Sequence, residues 1–322
     1  MTSFVEVLGL KKDFAVRRGI WQRQVGAVHA VDDVNFQLDR GKTLGLVGES
    51  GCGKTTVARM VVQLLRPTQG QVLFKGKDLV SMKGRELREI RPKIQMIFQD
   101  PYASLNPRMT VGTLIEEPLI EHTDMSRSDR HERVLELTQV VGLDPSSVER
   151  YPHEFSGGQR QRIGVARALA LQPELLVCDE PVSALDLSIQ AQIINLLEDI
   201  QDKFNLTYLF ISHDLGIIRH ICDTVAVMYL GKIVETGSAQ EVYGDPQHPY
   251  TEALLASVPV ANPTGRHQRK RVILSGEIPS STMPPSGCNF HTRCPLAEQQ
   301  CSETSPELRR LSDGRLVACH LV

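Results

Sequence analysis

The residues Gly48-Glu49-Ser50-Gly51-Cys52-Gly53-Lys54-Thr55-Thr56 carry the spacing G-x-x-x-x-G-K-T. That spacing suits a loop that closes on phosphate. Glycines let backbone N–H groups turn inward around an anion. Lys54 can reach terminal phosphates, and the Thr55 hydroxyl can ligate Mg²⁺. An apolar run, Leu44-Gly45-Leu46-Val47, enters the loop, and a helix-like run, Val57 to Val62, leaves it. Phosphate binding requires this strand, loop, helix order, because the helix N-terminus adds unpaired N–H donors and partial positive charge. The pattern predicts a bound nucleoside triphosphate. It does not say what the triphosphate is for.

Other reactive side chains stand at the ends of apolar runs. Leu175-Leu176-Val177-Cys178 ends in Asp179-Glu180. Strands of a parallel α/β sheet present functional groups at their C-terminal ends. Asp179 is placed to hold Mg²⁺, directly or through water, and Glu180 to orient or deprotonate an attacking water. The run Ile94 to Phe98 closes on Gln99, and Tyr208 to Ile211 leads to Ser212-His213-Asp214. A Gln there is usually a polar boundary, and a lone His a structural hydrogen-bonder. Their place downstream of the phosphate loop marks Gln99 as a ligand and His213 as a γ-phosphate contact.

A second helix start has the same physics as the first. Phe155-Ser156-Gly157-Gly158-Gln159 is a glycine turn before a good helix, Arg160 to Ala170. It offers backbone N–H groups, a hydroxyl and a helix dipole to an anion. Two such starts in one chain suggest that one site is completed by another molecule's helix.

The elements that position these groups read as an α/β protein. Strands are expected at Phe4–Leu8, Val31–Phe36, Thr43–Val47 and Gln71–Phe74, besides those already named. Arg17 to Arg23 interrupts the first two and reads as a hairpin excursion; the alternative is that Phe14 or Trp21 stacks on adenine, and the sequence does not choose between them. Strand signals vanish over 103–172, where Val134, Leu135, Leu137, Val140 and Val141 mark a helical face that Ser128 could cap. This stretch reads as a helical insertion. Ser183-Ala184-Leu185-Asp186 precedes a helix starting near Ser188, with Ile189, Ile193, Leu196, Leu197 and Ile200 on its apolar face. Val225–Tyr229 and Ile233–Glu235 form a hairpin around Leu230-Gly231, and Thr251–Ser257 is a helix.

At 322 residues the chain has room for about two domains. Its 41% hydrophobic and 23% charged content is that of a soluble globular protein, and a net charge of −2 gives no global attraction to nucleic acid. No window approaches 18 consecutive apolar residues, so no membrane span is expected, and the first residues lack the pattern of a secretory signal. The expected compartment is the cytosol, where the seven cysteines stay reduced unless they hold a metal.

Taken together, residues 1–245 resemble the nucleotide-binding subunit of an ABC transporter. Gly48–Thr55 is similar to its Walker A motif and Leu175–Asp179 to Walker B, with Glu180 as the catalytic glutamate. Gln99 matches the Q-loop, Ser183–Asp186 the D-loop and His213 the switch histidine. Phe155–Gln159 resembles the signature motif, which more commonly begins with Leu; Phe155 keeps the apolar character. The resemblance implies a RecA-like P-loop core with an antiparallel β subdomain, a helical (ABC-α) subdomain near 103–172 and a small cysteine-containing extension over 246–322. It implies ATP on Gly48, Ser50, Gly51, Cys52, Gly53, Lys54, Thr55 and Thr56, with an aromatic such as Phe14 beside adenine. Mg²⁺ would be held through Thr55, Gln99 and Asp179. In a head-to-tail dimer, Ser156, Gly157, Gly158 and Gln159 would act on the partner's ATP, with Asp186 the last residue of the D-loop. Hydrolysis would then drive coupled membrane subunits.

A narrower resemblance, to the dipeptide and oligopeptide importers, rests on Gln99 to Pro107, His248-Pro249-Tyr250-Thr251, Gly276-Glu277-Ile278-Pro279-Ser280 and the cysteine segment. It implies a second related ATPase chain, two membrane permease subunits and an extracytoplasmic peptide-binding protein, with this chain peripheral on the cytoplasmic face of the inner membrane. Nickel and glutathione importers share the subfamily. A rival from another class is a soluble ABC ATPase of DNA repair or translation, but those usually carry two cassettes; an exporter would often be fused to spans.

Cys288, Cys294, Cys301 and Cys319 fall at C-x₅-C-x₆-C-x₁₇-C. Zinc sites more often show C-x₂₋₄-C pairs. Four thiolates can hold a [4Fe–4S] cluster, and some peptide-importer subunits carry one on a similar tail. Zinc, with His291 or His320 as alternative ligands, and free thiols stay open. Residues 260–272, with Arg266, Arg269, Lys270 and Arg271, read as a solvated basic linker.

Overall fold

Two long strands within the first forty residues pair antiparallel. Strand β1 (Val5–Arg18) pairs with β2 (Arg23–Leu38), from Val5 opposite Leu38 to Arg18 opposite Arg23. The computed structural model describes residues 3–19, 23–257 and 276–322. Trp21 and the basic stretch 260–272 lie outside them. The expected excursion at Arg17–Arg23 falls partly on residues 20–22, outside the described ones; on either side of them β1 continues to Arg18 and β2 begins at Arg23, so β1 runs well past the expected Leu8. Register shifts between Val7 and Asp13 break the strict alternation from which the sequence signal is read.

From there the chain forms β3 (Thr43–Val47), α1 (Lys54–Val61), β4 (Gln69–Phe74), β5 (Lys77–Asp78), α2 (Gly84–Ile90) and β6 (Ile94–Ile97). Four α-helices follow: α3 (Pro101–Ser104), α4 (Val111–His122), α5 (Arg127–Val140) and α6 (Gly157–Leu169), with two short 3-10 turns between the last two. Strand and helix then alternate through β7 (Leu175–Asp179), α7 (Leu187–Phe204), β8 (Thr207–Ile211), α8 (Leu215–Ile221), β9 (Thr224–Tyr229) and β10 (Lys232–Ser238). Helices α9 (Ala239–Gly244), α10 (Pro249–Ala256) and α11 (Gln299–Glu303) and the short strands β11 (Arg309–Arg310) and β12 (Leu316–Val317) follow among the described residues.

Packing divides the molecule into two compact units. The first comprises Met1–Asp39, Thr43–Val80 and Ser212–Val322. In it, β1 is flanked by β2 and β4 in an antiparallel sheet. The P-loop strand β3 is fully buried and lies parallel to β9, with Val47 opposite Val227. β9 turns into β10 through Leu230 and Gly231, both at positive φ (41° and 82°), as a two-residue hairpin of matching twist requires. β12 adds to the far edge of β10, so the end of the chain is part of the same unit as the phosphate loop.

The second unit comprises Arg40–Lys42 and Ser81–Ile211. Its strands β6, β7 and β8 are parallel, and every residue of β7 and β8 is buried. The long apolar face of α7 buries Ile193, Ile194, Leu196, Leu197 and Ile200. No strand occurs between Ile97 and Leu175. Of the expected apolar face, Val134, Leu137 and Val141 are buried and Leu135 and Val140 half-buried, and the cap of α5 is Ser126, not Ser128. Ser126 forms a capping box with Asp129, whereas Ser128 would have His131 three residues on.

Candidate nucleotide site

The phosphate loop is held in shape by backbone contacts that only glycine permits. Gly48 and Gly53 have φ of 152° and 108°. A Cβ at Gly48 would collide with the carbonyl oxygen of Met228, and one at Gly53 with that of Ala30. At Gly51, φ is 80° and a Cβ would meet nothing within 4 Å. The loop is therefore packed on its protein side and open at its tip. Ser50 and Gly51 are exposed, while Cys52 and Lys54 are buried.

Lys54 opens α1 and folds back over the loop. Its Nζ donates to the carbonyl oxygens of Gly48 at 2.8 Å and Glu49 at 3.0 Å. A cation so tethered already lies among the N–H groups that would receive phosphate. Burial raises the Cys52 thiol, an effect that Lys54 beside it opposes. Thr55 and Thr56 are half-buried in the first turn of α1. Phe14, on β1 of the same unit, is 40% exposed with Lys12 Nζ 5.2 Å from its ring centre. His213 is exposed and lies just before α8, whose first turn Asp214 caps.

In the second unit the acidic pair ends β7. Asp179 is 3% exposed. Glu180 stands in the left-handed region at φ 47°. Its N–H donates to Ile211 O at 2.9 Å, and its carbonyl accepts from Ser183 N–H at 3.2 Å and Ser183 Oγ at 3.1 Å. Gln99 Nε2 donates to Glu180 Oε2 at 2.8 Å. The structure thus joins two residues that the sequence places 81 positions apart. Asp186, exposed, begins α7, and its carbonyl accepts from Ile189 and Gln190.

Ser156 begins α6 with a capping box: its Oγ accepts from Gln159 N–H, and Gln159 Oε1 accepts from Ser156 N–H at 3.0 Å. Both side chains are exposed. A Cβ on Gly158 would strike Ile189 of α7. That glycine is therefore required by packing as well as suited to an approaching anion. Phe155 is buried, with the Arg150 guanidinium 4.4 Å from its ring centre.

Cys288, Cys294, Cys301 and Cys319 share one end of the extension. Burial pushes up the thiols of Cys288, Cys294 and Cys319, and charge on neighbouring cysteines pushes each further. Yet among the described residues no three His, Cys, Asp or Glu side chains are arranged to hold a metal ion, these four included. His291 Nδ1 instead donates to Cys288 O, and His320 Nε2 to Thr304 O.

Sequence reasoning missed the contacts that Arg293 and Tyr250 make with Glu49 of the loop, and the packing of Tyr229 on those two residues and of Phe290 on Tyr229 and Tyr250. Arg293 Nη1 and Nη2 donate to the two Glu49 carboxylate oxygens at 2.8 and 3.1 Å. Glu49 N–H donates to Tyr250 Oη at 2.9 Å. These partners lie some 200 residues or more from Glu49, so no local pattern reveals them.

Fold and loop define a P-loop nucleotide-binding α/β protein. Comparison with known proteins narrows this. Residues 31–183 match the ABC transporter family and residues 234–301 the oligopeptide/dipeptide transporter C-terminal region. The chain is 56% identical to the oligopeptide transport ATP-binding protein AppF of Bacillus subtilis, over 99% of this chain and 97% of that one. It is 53% identical to OppF of Salmonella typhimurium (94% and 92% covered) and 48% identical to the dipeptide transport protein DppF of Haemophilus influenzae (99% and 96%). Among solved structures it resembles the ATP-binding cassette MJ0796 in a dimeric post-hydrolysis state with ADP and Pi. There the TM-score is 0.65 at 27% identity, over 73% of this chain and 98% of that one. The chain cbiO1 from Clostridium perfringens, part of an ABC transporter complex, gives 0.65 at 25% identity, over 76% and 92%. The chain belongs to the ABC transporter family, among its oligopeptide and dipeptide transport ATP-binding proteins. It is an ABC-type ATPase with the RecA-like P-loop core and helical subdomain of that family. No helix among the described residues is long and apolar enough to cross a membrane.

Proposed function

We propose that this chain hydrolyses ATP to power uptake of dipeptides or oligopeptides through partner membrane subunits. The observation that carries this reading is the match along 99% of the chain, extension included, to a peptide transport ATP-binding protein. Soluble ABC ATPases of DNA repair or translation lack that support, and nothing favours nickel or glutathione over peptides.

The reaction is phosphoryl transfer from ATP to water. Gly48 to Thr56 supply the N–H groups that surround the β- and γ-phosphates, and Lys54 shifts from its loop carbonyls to phosphate oxygens. Thr55, Asp179 and Gln99 are the residues suited to hold Mg²⁺, which supplies charge neutralisation when bound. Their hydroxyl, carboxylate and amide oxygens fit a hard cation. Glu180 orients the attacking water and takes its proton, while His213 contacts the γ-phosphate. Phe14 offers its exposed face to adenine. Exposed Ser156 and Gln159, with Gly157 and Gly158, act on the ATP of a second, related ATPase chain, and exposed Asp186 is the D-loop acid.

The assembly proposed is this pair, two permease subunits and an extracytoplasmic peptide-binding protein, with the chain peripheral on the cytoplasmic face. We infer in addition that Cys288, Cys294, Cys301 and Cys319 ligate a [4Fe–4S] cluster. The support is that Cys294, Cys301 and Cys319 all lie close enough to Cys288 to raise its thiol; a cluster would give each thiolate an iron of its own. No catalytic step runs through it. Native extraction without air tests both readings. Membrane subunits should co-purify, with about four iron atoms per chain. A chain that leaves the membrane fraction alone contradicts the first reading, and one holding zinc or no metal contradicts the second.

A further inference from the structure

One residue of the phosphate loop is gripped twice from beyond residue 245. Glu49 follows the first loop glycine. Its backbone N–H donates to Tyr250 Oη, and its carboxylate takes both terminal nitrogens of Arg293. Both partners are rigidly placed. Tyr250 is completely buried in the first turn of α10, whose cap is His248; the His248 Nδ1 accepts from Tyr250 N–H at 3.0 Å. Buried Glu235 in turn accepts from the N–H groups of Gln247 and His248 at 2.9 Å each. Arg293 is 7% exposed. It is seated by an aromatic cluster in which Tyr229, Tyr250 and Phe290 lie 4.7 to 5.4 Å apart, centre to centre. Its Nη1 also reaches Tyr229 Oη at 3.4 Å.

A bidentate guanidinium–carboxylate pair fixes orientation as well as distance, because both groups are planar forks. Glu49 cannot rotate without breaking one of the two bonds. The carbonyl of Glu49 is also one of the two oxygens that hold Lys54 Nζ. Fixing Glu49 therefore fixes the approach of Lys54 and the direction of the next N–H groups, those of Ser50 and Gly51 at the open tip. A loop held in its phosphate-binding shape before ATP arrives has less conformational freedom to lose on binding.

We propose that Arg293 is a positioning residue for ATP: through Glu49 it pre-sets the phosphate loop, so the C-terminal extension is a working part of the nucleotide site. The proposal rests on the reading of Gly48–Thr56 as the ATP loop and goes beyond it. Its effect falls on affinity more than on chemistry, because Arg293 touches neither phosphate nor water.

The test is a double-mutant cycle on the assembled transporter, reading KM for ATP against kcat. Arg293→Met and Glu49→Gln should each raise KM about tenfold with kcat within about twofold, and the double variant should be no worse than either alone. Arg293→Lys, which keeps charge but not the fork, should fall between. Glu49→Gln is isosteric and half-exposed, so it remains informative if Arg293→Met fails to fold. Unchanged KM in Glu49→Gln, or rises that multiply in the double variant, would overturn the proposal. Lys54→Ala serves as the control: unaltered ATP affinity there would refute the loop reading itself, separately from the role of Arg293.

Discussion

Glu180 occupies a backbone conformation that a non-glycine residue adopts only at a cost of about 1–3 kcal/mol. At φ 47° it is pinned by Ile211 O on one side and Ser183 on the other. That strain turns its carboxylate toward Gln99 Nε2, 2.8 Å away. The side chain is thus aimed by its backbone and braced by a residue at the end of another strand. Glu180→Gln keeps the size of the side chain and an oxygen to accept from Gln99, but it cannot take a proton from water. Turnover should fall by roughly 10²–10⁴ while ATP still binds, since general-base removal acts on the chemical step. Stopped-flow binding and phosphate release measure the two effects separately. Turnover near wild type would remove Glu180 from the role of base.

At the scale of elements, helix α10 connects stability to pH. His248 is 2% exposed, and burial pushes its pKa down to about 4 from an ordinary 6.5. The unfolded chain binds this proton more readily than the folded one. The contribution is therefore complete above pH 6.5 and drains away as pH falls toward 4, on the order of 3 kcal/mol in all. Unfolding by urea at pH 7 and pH 5 should show the loss, and His248→Asn, which can still cap α10 but does not titrate, should flatten it. An equal pH dependence in that variant would assign the effect elsewhere. The helix itself is only partly legible: the sequence predicts Thr251–Ser257, yet α10 runs from Pro249 to Ala256, since proline suits the first helical position. Likewise Ser126, not Ser128, caps α5, and the Asp129 that completes its box was the available signal. Only the start of β1 is legible, because its bulges disrupt the period of two beyond Leu8.

For the molecule as a whole, what the sequence shows is what short-range chemistry dictates. The phosphate loop was readable because backbone geometry demands glycine at Gly48 and Gly53, and the ends of β7 and β8 because fully buried strands are uninterrupted apolar runs. The bond between Arg293 and Glu49 was not readable, because pairing across 244 residues leaves no local trace. It also changes the standing of the extension, which packs in the same unit as the loop that it braces. The central claim, that this ATPase powers peptide uptake, is tested most directly in vesicles. The chain, co-purified with its membrane subunits, is reconstituted and given a labelled peptide with its binding protein. Peptide should accumulate only with ATP, and accumulation should cease with Glu180→Gln. Uptake that proceeds without ATP or survives Glu180→Gln, or ATP hydrolysis with no peptide accumulation, would contradict the account.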